Sequence, residues 1–152
     1  MQFLNNYSNR ELNIWAELIL SILVSFYFFP KIFPLIINDQ LYSEALVDIV
    51  ITSIIIAIIY SIFVFGAINT LTKREEKDER DYIYELKSYR ISNIISQVSI
   101  YLLISLIVFN PIYQVRLTDF TAPMIAMLLL IITLLSSTEK SLTQLFNYRK
   151  NI

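Results

Sequence analysis

Four long apolar runs, nearly free of charge, decide most of what this chain can become. They cover about 12–29, 46–71, 91–109 and 121–138. A helix that crosses a bilayer needs roughly 20 apolar residues, within a range of about 17–25. The first three runs meet that length outright. The fourth is shorter by strict count, and Phe120 and the Ser136–Thr138 stretch extend it. Ile and Val favour strands in water. Lipid reverses that preference, because every backbone polar group must then be bonded inside the segment. A transmembrane barrel would alternate apolar and polar residues in segments of about ten, and no such alternation is present. The expected fold is an all-α membrane protein, a four-transmembrane-helix bundle built as a single domain over 1–152.

Composition agrees. The chain is 56% hydrophobic and 16% charged, against about 25% charged in soluble domains. It has no Cys, no His and one Gly. Disulfides, thiol nucleophiles, His-based triads, Cys/His metal centres and Gly-rich phosphate loops are excluded. An enzyme is not expected, and neither is a cofactor. The first run ends Phe26-Tyr27-Phe28-Phe29-Pro30, with no small-residue cleavage site. It reads as a retained helix rather than a secretory signal.

Ten of the twelve Lys and Arg fall in the N-terminal tail, the connection between runs two and three, and the C-terminal tail. Lys31 and Arg116 are the exceptions. Basic loops stay on the cytoplasmic side, so both termini and the middle connection are expected there. The acids Asp39, Glu44, Asp48 and Asp119 fall on the outer side. With a net charge of −1, nothing forms a nucleic-acid surface.

The one strongly hydrophilic segment, 73–90, reads KREEKDERDYIYELKSYR, with six bases and six acids. Arg74/Asp78, Glu76/Arg80 and Lys77/Asp81 stand at helical spacing, each pair contributing about 0.2–0.5 kcal/mol. Ile83 and Leu86 add an apolar seam that leads to Ile94. The pattern predicts a helix starting near Asp78 and running unbroken into span three, which then extends into the cytosol. A solvated, self-paired helix is the plainest reading. Asp78, Asp81 and Glu85 share one face and could hold a hard cation only if another element completed the shell. The third reading is a docking surface for a protein partner, formed by Asp78, Glu79, Arg80, Asp81, Ile83, Leu86, Lys87 and Arg90.

The string Glu76-Lys77-Asp78-Glu79-Arg80-Asp81, followed by Ile83, Lys87 and Arg90, resembles the cytoplasmic D-E-R-D motif of small four-helix bacterial membrane proteins of unknown function. Arg10-Glu11 ahead of Trp15 is similar to the way those chains open. The resemblance implies a bacterial inner-membrane protein and carries no activity.

Within the spans, Glu17 stands out. An ionisable group in lipid is costly and points to function by default. A proton-coupled exporter would use such a carboxylate. The plainer reading places it near the headgroups with Trp15, reaching water or Arg90. Aligning Asn13-Ile14 with Asn93-Ile94 sets Glu17 against Gln97, so the two could bond across the bundle. Tyr60 and Tyr101 fall near mid-span and need partners for their hydroxyls. Ser43 is a candidate N-cap for span two, and Asp48 complements that helix's dipole. Small residues recur at four-residue spacing: Ser53, Ala57 and Ser61; Ser92 and Ser96; Ser21 and Ser25. Such faces permit close helix packing, within one bundle or at a homodimer seam. The leading functional expectation is a regulatory or interaction protein (accessory, immunity or sensor-like). The second is a small proton-coupled transporter or channel using Glu17.

Overall fold

The computed structural model describes residues 9–38, 40, 41, 43–71, 79–113 and 121–150. Four helices carry the chain: α1, Asn9–Ile37; α2, Glu44–Leu71; α3, Glu79–Tyr113; and α4, Ala122–Lys150. Each is long and apolar enough to cross a membrane. There is no strand among the described residues. Residues 73–78 of the charged segment, Asp78 among them, and Phe120 lie outside the described residues, as does the side chain of Arg80.

The helices outrun their expected ends. The first was expected to stop at Pro30, yet α1 continues through Pro30 and Pro34 to Ile37. The third was expected to stop before Asn110-Pro111, yet α3 runs to Tyr113. Proline removes one backbone bond and crowds the preceding turn, which ends most helices in water. In an apolar surround, unwinding would strand further N–H and C=O groups, so the helix persists. α4 reaches Lys150, a full three turns beyond 138. The extension of α3 therefore does not stand alone. It runs beside an extension of α4.

Ser43 precedes α2 with extended backbone (φ −83°, ψ 155°), but its hydroxyl makes no capping bond. Its carbonyl accepts from Leu46 N–H at 3.1 Å instead. Further along, Ser61–Phe65 forms a π-helical stretch before Gly66–Leu71 resumes the α-helix.

α1 runs antiparallel to α2 and α4, α3 runs antiparallel to α4, α2 and α4 run parallel, and α4 is the hub. It packs against α1, α2 and α3, and α1 also packs against α2. One apolar layer joins α1, α2 and α4, and a second joins α1 and α4. Near one end, Phe28 and Ile32 of α1 meet Leu46, Ile49 and Val50 of α2 and Met124 and Met127 of α4. At the charged end, Ile14 and Leu18 meet Leu145. Between the layers the packing residues are small: Ser21, Ser53 and Ser137. The bundle's outside carries large apolar side chains such as Phe26, Ile55, Ile58 and Phe63. Lipid tails cover such a surface, whereas water would penalise it.

Candidate functional site

Polar groups line the hub helix α4 from the charged end inward. The outermost cluster joins three helices. Arg10 of α1 pairs with Asp81 at 3.0 Å and with Glu85, both on α3. The same guanidinium donates to the Asp81 carbonyl at 3.2 Å. Tyr148 of α4 donates its hydroxyl to the Asp81 carboxylate at 2.6 Å. The Tyr84 and Tyr148 rings meet edge to face at 5.5 Å. Arg149 lies 5.7 Å from the centre of the Trp15 ring, a cation–π contact.

The acids at 81 and 85 were expected to pair along their own helix or to hold a cation. In the structure both turn to Arg10, which is 71 and 75 residues distant. Among the described residues, no group of three acids stands ready for a metal ion. The cluster works as a clamp. It fixes the start of α3 to both α1 and α4.

About two turns further in lies Glu17. Its carboxylate accepts two bonds from Lys140 of α4, at 2.9 and 3.2 Å. Ser141 approaches at 3.5 Å. Lys140 also sits 4.5 Å above the Tyr89 ring. The Lys140 side chain is 16% exposed and that of Glu17 is 32% exposed, so this is a half-sheltered ion pair. Glu17 does not meet Gln97. α1 and α3 are not packed side by side, and Gln97 is exposed on α3. The apparent repeat aligned two helices by sequence that the fold sets at different depths. Lys140 was the missed partner. It lies 123 residues from Glu17, and only the extension of α4 beyond 138 brings it near.

Hydroxyl bonds follow. Ser136 of α4 bonds Ser92 at 2.6 Å and Ser96 at 2.7 Å. Ser92 also donates to the Ser136 carbonyl at 3.0 Å. On the other side of α4, Ser137 bonds Ser21 at 3.1 Å. The small residues expected at helix contacts on α1 and α3 thus dock those helices on α4. Ser53 is buried, and its hydroxyl turns back to the Ile49 carbonyl at 2.8 Å. Tyr60 donates to the Ala16 carbonyl at 3.1 Å rather than to Tyr101, which is 67% exposed on α3.

Among the described residues, Ala57 and Ser61 make no interhelical hydroxyl bond of the kind that Ser92 and Ser21 make. With Ser21, Ser53, Thr133 and Ser137 they line a cleft of about 450 Å³ between α1, α2 and α4. Glu17 is not among its walls. Ser25 is half-buried on α1.

On α3, Ile83 and Leu86 are exposed, with Glu79, Lys87 and Arg90 on the surface beside them. The clamp residues face inward. No family model, curated protein or solved structure matches the chain.

Proposed function

We propose that this is a polytopic protein of a bacterial inner membrane with an accessory or regulatory role. In this reading its termini and the α2–α3 connection face the cytoplasm. The paired ends of α3 and α4 project there and recruit a protein partner. The carrying observation is the two-sidedness of the start of α3. Its inner side is fastened by Arg10 and Tyr148, while Ile83 and Leu86 stand 54% and 59% exposed among charged residues, ahead of the apolar run at 91–109. Apolar side chains held rigidly beyond the bilayer form a docking face, because neither lipid nor their own bundle covers them. The charge ring around them supplies the polar rim that such faces carry.

The geometry favours this over a proton-coupled carrier. Glu17 is neutralised by Lys140 at 2.9 Å and stands away from the intramembrane cleft. The two readings separate in one comparison. Protein purified from native membranes should retain a partner that Ile83→Ser with Leu86→Ser loses, with the fold intact. In proteoliposomes the wild type should show no flux. A partner that survives the double change refutes the docking face. Proton-driven flux that Glu17→Gln abolishes refutes the reading as a whole.

A further inference from the structure

Every helix but α3 packs along its length against at least two others. α3 packs along α4 alone, and only 6% of its most apolar stretch is buried, against 17–22% in the other three. Ser92, Ser96 and Leu103 mark the side that faces α4. The opposite side is a regular line of exposed residues: Arg90, Ile94, Gln97, Tyr101, Ile104 and Val108. Their spacing alternates four and three. That is the 3.5-residue repeat by which two parallel helices wind around each other with a left-handed twist.

The line holds two polar groups where lipid gives them nothing. Gln97 lies six residues past Ile91, about 9 Å along the helix, and Tyr101 about 15 Å, near the middle of a core roughly 30 Å thick. Among the described residues, neither the Gln97 amide nor the Tyr101 hydroxyl has a hydrogen bond in the protomer. A polar group left unbonded in hydrocarbon is costly.

We infer that this line is the seam of a parallel homodimer, in which α3 packs on its counterpart and the two Gln97 amides bond across the two-fold axis. The chemistry selects a second copy. An amide carries both donors and an acceptor, so it satisfies itself across a two-fold. A carboxylate or an ammonium group cannot do so. A second copy necessarily brings the same amide at the same depth. Lipid tails bring no polar atom at all. A single polar residue in such a repeat also sets register and orientation. At the charged end the same line continues through Arg90, Lys87 and Ile83. Like charges spread the two copies there, which leaves Ile83 and Leu86 open. The dimer rests on α3 crossing the bilayer and not on the docking role.

The chain has no Cys, so each introduced Cys is a unique reporter. Single variants at Ile94, Gln97, Tyr101 and Ile104 should give disulfide-linked dimers under mild oxidation in native membranes. Ile100→Cys on the flank of α3 and Ile58→Cys on α2 should not. Separately, Gln97→Leu should weaken dimerisation in liposomes about tenfold, in line with one interhelical amide contact, while Gln97→Asn retains it. Cross-links that peak at Ile58 would place the contact on α2 and overturn the seam. Cross-linking at none of these sites would assign the α3 face to lipid. Adducts of Gln97→Cys with a different protein would give the face to that protein. Dimerisation equal in Gln97→Leu and the wild type would remove the amide from the interface.

Discussion

Replacing Lys140 with Met is expected to destabilise the bundle by about 2 kcal/mol, between the range of about 0–1 for an exposed pair and about 3–5 for breaking a buried one. Glu17 is 32% exposed and its partner 16%, which sets the intermediate figure. The variant removes both donors from the carboxylate. Only Ser141 remains, at 3.5 Å, the outer limit of a useful bond. Glu17→Gln should cost less, about 1 kcal/mol, because the Lys140 stem lets its ammonium reach toward water. Tyr89 also stays beneath that ammonium at 4.5 Å. The double variant should cost less than the sum, with a coupling of about 1 kcal/mol. Equilibrium unfolding in mixed micelles measures all three changes. Trp15, the only tryptophan, lies on the α1 side of the same α1–α4 contact and reports on it by fluorescence. Strict additivity of the two single changes would show that the pair is solvated and contributes nothing.

Ser136→Ala should loosen α3 by about 1 kcal/mol, because it removes the hydroxyl shared by Ser92 and Ser96; faster amide exchange confined to α3 is the readout. Arg10→Ala should release the start of α3 and raise proteolysis near Glu79 severalfold, and unchanged cleavage would show that Tyr148 alone holds it. Ala57→Leu should be tolerated within about 0.5 kcal/mol, since the side chain enters an open cleft of about 450 Å³; a marked loss of detergent stability would mean that α1, α2 and α4 close on each other there.

The helices were legible in the sequence because lipid leaves a long apolar run only one way to satisfy its backbone. Their ends were not. Pro30 and Pro111 read as stops by the rules of water, and those rules lapse where unwinding has no solvent to receive the freed groups. That Glu17 needs a polar partner was legible from its surroundings alone, as an acid among Leu, Ile and Ala. Its partner was not, since nothing local to Lys140 marks it as reaching inward. The serines were legible as contact residues, but spacing alone does not distinguish Ser92 and Ser96, which bond Ser136, from Ala57 and Ser61, which border empty space. Gln97 was read through its chance alignment with Glu17. Its place in a line of exposed residues emerged only once the side of α3 facing α4 was known.

Because α4 alone packs against every other helix, it serves as the molecule's axle. Tyr148 and Met124 lie on one continuous rod, about 36 Å apart at the helical rise. A twist applied at the clamp would meet no break in that rod. It would be carried along the unbroken helix toward the Met124 layer, at the opposite end of the bundle.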